Sequence, residues 1–94
     1  MSFQLRYSRT SYRQIKALHP NIKPIVKTKV QELKENPYLG KALEKELSGY
    51  RSLRTKRFRI IYRVDHENRM VQIHYVGHRK DVYELFKEWL AEDE

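Results

Sequence analysis

Cysteine is absent from this 94-residue chain, which excludes disulfides, cysteine-ligated zinc and a thiol nucleophile and fits the cytoplasm. Three Gly and three Pro are too few for a flexible linker, and no repeat or low-complexity tract is visible. Consecutive apolar side chains never exceed three, so no segment is expected to span a membrane. Residues 1–10 include Arg6 and Arg9 but no apolar stretch of the kind a secretory signal carries. Negative charge is also scarce: twelve Asp and Glu face twenty Lys and Arg, leaving a net +8. Yet hydrophobic residues make up 39% of the chain, too many for a disordered tail and enough for one small core. We therefore read residues 1–94 as a single domain whose partner is anionic, either nucleic acid or an acidic protein.

Apolar periodicity sets the expected elements. Ser2 to Tyr7 alternates and reads as a strand. Ser8 or Thr10 then caps a short helix with a stripe of Tyr12, Ile15 and Leu18, which Pro20 breaks. Ile22, Val26, Val30 and Leu33 repeat through a second helix that Asn36-Pro37 ends. Ala42 to Leu47 suits a short helix, and Ser48-Gly49 a turn. In the strand that follows, Phe58, Ile60, Tyr62 and Val64 take one face, and Arg57, Arg59, Ile61 and Arg63 the other. After a turn at Asp65 to Asn68, Met70 to Val76 forms a strand with Val71, Ile73 and Tyr75 opposite Gln72 and His74. Asp81 to Leu90 closes the chain as an amphipathic helix. The expected class is α+β in the order β-α-α-β-β-β-α. It has a twisted, mainly antiparallel four-stranded sheet, a helical hairpin on one face, and an open basic face opposite.

Charge is unevenly placed. Arg51, Arg54, Lys56, Arg57, Arg59 and Arg63 fall in one stretch without an acid, whereas Glu84, Glu88, Glu92, Asp93 and Glu94 crowd the C-terminus. Strand parity predicts that Arg57, Arg59 and Arg63 project together at intervals of roughly 6–7 Å, close to the phosphate spacing of an extended nucleic-acid strand. Arg in place of Lys favours bidentate phosphate contacts and stacking on bases. A solvated face and a patch for an acidic protein are the competing readings, although like charge gathered on one strand is destabilising.

Metal-independent RNA cleavage suits these residue types. The RNA 2′-OH attacks its own phosphate, a base takes its proton, cations hold the charge on phosphorus, and an acid protonates the 5′-oxygen. Arg fills the cationic role and not the proton-transfer role, for which His is the natural candidate near neutrality. His78, beside Arg79, and His74, expected on the face of Arg59, are the candidates; His19 and His66 fall in turns. Neither a metal nor a cofactor is expected. His74 and His78 would stand ~13 Å apart on a strand, and neither a carboxylate cluster nor a glycine-rich phosphate loop is present. Tyr83 lies at the margin of the last helix's apolar arc, as a core-edge aromatic or with its hydroxyl in the site.

The blocks LSGYRSLRTKRFRIIYRV and IHYVGHRKDVY, residues 47–64 and 73–83, resemble the RelE/ParE superfamily of bacterial and archaeal toxins. The resemblance extends over nearly the whole chain and implies the RelE-like microbial ribonuclease fold. In the RelE branch it implies a ribosome-dependent endoribonuclease that cuts mRNA in the A site. Arg59, in Arg59-Ile60-Ile61-Tyr62, matches the family's strand Arg, and Arg79, in Val76-Gly77-His78-Arg79, matches its later Arg. Tyr83 matches the Tyr that orients or stacks on RNA, and Arg54 fits the commoner "L-R" position. The implied catalytic set is thus Arg54, Arg59, His78, Arg79 and Tyr83, with RNA contacts from Arg51, Lys56, Arg57, Arg63 and His74. This chain departs from the family where two Lys, one the implied general base, precede that strand: it offers Arg51 and Arg54 instead. His78 stands where the RelE branch has Lys, and Lys41 falls near the Glu of the YoeB branch. The resemblance also implies a RelB-like antitoxin that wraps the toxin, covers the basic face and displaces the helix around Phe86 and Trp89. Its alternative, a ParE-like toxin, binds DNA gyrase without chemistry of its own; a nucleic-acid-binding protein without activity is a third reading.

Overall fold

The computed structural model describes residues 2–93, so Met1 and Glu94 of the acidic C-terminus lie outside the described residues. Strand β1 (Gln4–Tyr7) leads into helix α1 (Arg9–Lys16) and helix α2 (Lys23–Glu32). Strands β2 (Lys41–Ala42), β3 (Arg51–Thr55), β4 (Phe58–Asp65) and β5 (Met70–His78) follow, and helix α3 (Val82–Asp93) ends the fold. The strands form one sheet in the order β1-β5-β4-β3-β2. It is antiparallel except where β1 runs parallel to β5 at one edge.

Five strands stand where the periodicity predicted four, because Lys41–Ala42 pairs with Arg51 and Ser52 of β3. The expected helix from Ala42 to Leu47 shrinks to one 3-10 turn at Lys45–Leu47. Backbone pairing to β3 outweighs the helical tendency of this short segment.

Helices α1 and α2 cover one sheet face. Ile15, Val26, Val30 and Leu33 pack there on Leu53, Ile60, Tyr62, Val71, Ile73 and Val76. The opposite face is not open along its length. Helix α3 lies on it, with Val82 and Phe86 buried against Ile61 and Leu47, and Tyr50, Tyr75 and Trp89 at the margin. Gly77 makes that approach possible, since a Cβ there would meet Val82 Cγ2 at 2.9 Å.

A bulge decides which side chains share a face. In the β4–β5 ladder Ile61 pairs with Tyr75 and Tyr62 with Ile73, so His74 is the extra residue. Val71 and Ile73 face the hairpin, Tyr75 joins the α3 side, and Val76 returns to the hairpin. The predicted alignment of Val71, Ile73 and Tyr75 on one face therefore fails at Tyr75. Helix α1 supplies the partners of the bulged backbone. Ser8 caps the helix, its Oγ accepting from Ser11 N at 3.0 Å and donating to His74 O at 2.8 Å. Ser11 Oγ donates to Ile73 O at 2.9 Å, and Val76 N donates to Gln14 Oε1 at 2.6 Å.

Candidate functional site

Arg54 and Arg59 are direct partners across β3 and β4, on the α3 side of the sheet. Ser52, two residues before Arg54, and Lys41, its partner on β2, fall on the same side. These four residues, with Leu39 and Tyr83, line a hollow of about 450 Å³ between the β2 edge and the start of α3. Three of these side chains, Arg59, Tyr83 and Ser52, have an identifiable support. Arg59 Nη1 donates to Phe58 O at 2.9 Å, which ties the guanidinium to the β3–β4 turn. The Tyr83 hydroxyl and Ser52 Oγ share a hydrogen bond of 2.9 Å. Tyr83 is thus both a core-edge aromatic and a hydroxyl in the hollow.

The β2 edge is held from below. Tyr62 is completely buried; its hydroxyl donates to Pro37 O at 2.7 Å and accepts from Gly40 N at 2.9 Å. Burial raises the Tyr62 pKa, keeping the phenol protonated for that role. At Gly40 a Cβ would lie 2.7 Å from the Tyr62 hydroxyl and 2.8 Å from Ser52 O, so this approach requires glycine.

No carboxylate lines the hollow. Among the described residues the side-chain ion pairs are Lys29–Glu32 and Lys87–Glu84, neither of which involves Lys41, Arg54 or Arg59. Three cations and two hydroxyls thus converge without an internal counter-ion, an arrangement suited to an anion the size of a phosphodiester. Among the described residues no three His, Asp or Glu side chains gather to hold a metal ion. Nor is any helix there long and apolar enough to cross a membrane.

The remaining candidates lie elsewhere. The bulge at His74 places His78 on the hairpin side, its ring edge-on to Phe58 at 5.8 Å. His78 and Arg79 line a second hollow with Ile22, Lys56, Arg57 and Phe58, on the other face of the same sheet end. Arg79 N donates to Arg57 O at 2.7 Å, fixing the Arg79 backbone to the β3–β4 turn. Of the predicted row of Arg57, Arg59 and Arg63, the last two do share the α3 side of β4, separated by Ile61 buried under α3, and Arg57 drops out. Arg57 belongs to the turn, and Arg63 lies with its guanidinium 5.1 Å from the Tyr50 ring centroid. Arg51 clasps the chain before β2, donating to Gly40 O at 3.0 Å and stacking 5.2 Å from the Tyr38 ring centroid. His74 packs edge-on against Tyr50, and its Nε2 is buried without a partner. Burial, and secondarily the Arg63 charge, lower its pKa.

Sequence reasoning missed Ser52 as a site residue and noted Lys41 only for its place near a family Glu. Pairing the alternation of Ser52 and Arg54 with Ile61 and Arg59 across the hairpin would have found Ser52. Lys41 left no such signal, because two residues show no alternation.

Residues 5–83 match the family described as the ParE toxin of type II toxin–antitoxin systems, parDE. The chain is 35% identical over 85 residues to toxin RelG of Mycobacterium tuberculosis, covering 88% of this chain and 98% of that protein. It is similar to the toxin–antitoxin complex RelBE2 from M. tuberculosis, with a TM-score of 0.75 and 33% identity over 84% of this chain and 100% of that one. The intact RelBE complex of Escherichia coli shares the fold, with a TM-score of 0.72 and 18% identity, covering 82% of this chain and 96% of that chain.

Proposed function

The chain belongs to the ParE toxin family, within the RelE/ParE superfamily of type II toxin–antitoxin systems, and on that premise we propose that it is an endoribonuclease. Its substrate is mRNA in the ribosomal A site, and its effect is arrest of translation. The observation that supports this reading is the hollow of Lys41, Arg54, Arg59, Ser52 and Tyr83, cationic and free of carboxylates.

In this reading Arg54 and Arg59 hold the scissile phosphate and neutralise the charge that builds on its oxygens. The 2′-OH oxygen bonds to phosphorus, the bond from phosphorus to the 5′-oxygen breaks, and a 2′,3′-cyclic phosphate and a 5′-hydroxyl result. One proton leaves the 2′-OH and one reaches the departing oxygen. Guanidinium groups do not move protons near neutrality, so of the side chains lining the hollow Lys41, as its neutral amine, is assigned to take the 2′-OH proton and the Tyr83 phenol to give its proton to the departing 5′-oxygen. His78 and Arg79, with Lys56 and Arg57, contact the RNA where it passes over the sheet end, and Arg51, Arg63 and His74 hold the fold beside the site. The chemistry is metal-independent and needs no cofactor.

The partner in the cell is an antitoxin of the RelB kind. An acidic segment reaching the hollow gains most by displacing α3, whose buried contacts centre on Val82 and Phe86. The protein acts in the cytoplasm, where translation occurs.

The second reading, poisoning of DNA gyrase by binding alone, is favoured by the ParE description of the matched family. Induced expression separates the two. Rapid translation arrest with new 5′ ends in translated messages supports the nuclease, whereas DNA-damage signalling with gyrase-linked breaks and intact messages rejects it.

A further inference from the structure

Ser52 is a polar residue in an apolar place. It is 7% exposed, and its ladder partners are Lys41 of β2 and Ile61 of β4, which is buried under α3 beside Val82 and Phe86. A small apolar residue would close this margin as well, because a buried hydroxyl adds little stability even when it is paired. Tyr83 packs at the edge of the same apolar cluster, where the ring alone fills the space. Two hydroxyls thus meet at 2.9 Å where two apolar groups would serve the fold equally.

The direction of that bond follows from its surroundings. Each hydroxyl has a single proton to donate. Among the described residues the Ser52 hydroxyl has no hydrogen-bond partner besides Tyr83. Were Tyr83 the donor, the buried Ser52 proton would face Arg54, Arg59 and the Lys41 ammonium, all of which only donate. With Ser52 donating, both protons are placed: the serine's on the Tyr83 oxygen, and the phenol's turned into the hollow. No carboxylate lines that hollow, so an entering phosphodiester brings the acceptor that the phenol lacks. The start of α3 is seated by Val82 against Gly77, and Ser52 ties the next residue, Tyr83, to the strand that carries Arg54.

We propose that Ser52 is a positioning residue for cleavage: its hydroxyl donates to the Tyr83 oxygen and holds the phenol proton toward the departing 5′-oxygen. As the bond from phosphorus to that oxygen breaks, the phenol proton passes to it. The Ser52 proton stays on the phenolate and steadies its charge until water returns a proton. Ser52 acts through Tyr83 and not on the RNA. This role rests on the nuclease reading and its assignment of Tyr83 as the acid, and adds what aims the proton.

The test compares two short synthetic messages on programmed ribosomes, one natural and one with sulfur in place of the 5′-oxygen at the cut linkage. A thiolate leaves without needing a proton, so the sulfur message bypasses the acid. Single-turnover rates are measured with the full chain at saturation. On the oxygen message Ser52→Ala should cut about tenfold or more slowly, and Tyr83→Phe about 10²-fold more slowly. Adding Ser52→Ala to Tyr83→Phe should slow cutting no further, because the two act as one unit. On the sulfur message all three variants should cut within about threefold of the wild type, which also shows that they fold. Equal losses on both messages, either single variant at the wild-type rate on the oxygen message, or a further loss in the double variant would overturn the proposal. A wild-type chain that cuts neither message would refute the nuclease reading itself, and the role of Ser52 with it.

Discussion

Replacing Arg54 by Gln removes one of two guanidinium groups that face each other across β3 and β4 with no carboxylate pairing either. Directly opposed side chains have Cβ atoms about 4.5–5.5 Å apart, and exposed charged ends relax to roughly 7 Å. Two unit charges at that distance repel by about 0.6 kcal/mol in bulk water and by about 2 kcal/mol at the effective dielectric of a protein surface. The Arg54 side chain is exposed and makes no hydrogen bond to the protein among the described residues, so little is lost to set against this relief. Arg54→Gln is therefore expected to raise stability by about 0.5–1 kcal/mol, or about 3–6 °C in Tm for a domain of this size. Thermal unfolding at 20 mM salt measures the gain, and it should fade as salt rises toward 1 M. The same variant should lose RNA cleavage. A folded Arg54→Gln protein of equal or lower Tm, or a gain indifferent to salt, would refute the view that this pair is held together against its own repulsion for a ligand.

Tyr62→Phe leaves Pro37 O and Gly40 N, both in buried residues, without the phenol, and should cost about 2–4 kcal/mol in urea unfolding. A loss below about 0.5 kcal/mol would mean the β2 edge does not depend on it. Ser11→Ala strips the buried bond to Ile73 O at the bulge and should cost about 1–3 kcal/mol by the same assay; no loss would show that the bulge holds without α1. His74 has its pKa lowered by burial first and by Arg63 second, so the fold accepts its neutral form. Stability is then complete above the unfolded value of about 6.5 and falls as pH drops from there toward the lower folded value. His74→Gln should flatten the pH dependence of Tm in that window, and an unchanged slope would remove His74 as its source.

Much of this architecture is legible in the amino-acid order because most elements bury a whole face. The repeats Ile22, Val26, Val30, Leu33 and Phe58, Ile60, Tyr62, Val64 report a helix and a strand directly. What escapes is set by distant partners. Lys41–Ala42 is a strand only because β3 offers its edge, and two residues carry no period. The His74 bulge is written in Ser8, Ser11 and Gln14, which sit on another element some sixty residues away and look like an ordinary cap and surface. That one bulge turns His78 to the hairpin side, so the resemblance that set Arg54, Arg59 and His78 in one catalytic group holds for the two arginines, which pair across the sheet, and not for His78. The loop of Asp65 to Asn68, by contrast, behaves as its composition suggests: Asn68 hydrogen-bonds Asp65 and lowers its pKa.

Primer extension on ribosomes programmed with a defined message, using the purified wild-type chain and Arg59→Ala, reads message cleavage and its dependence on the guanidinium pair in one experiment. Cuts in the A-site codon that leave a 2′,3′-cyclic phosphate are expected, reduced about 10²–10³-fold in the folded variant. Cutting that survives Arg59→Ala undiminished, or messages left whole by the wild-type chain, would contradict the nuclease reading.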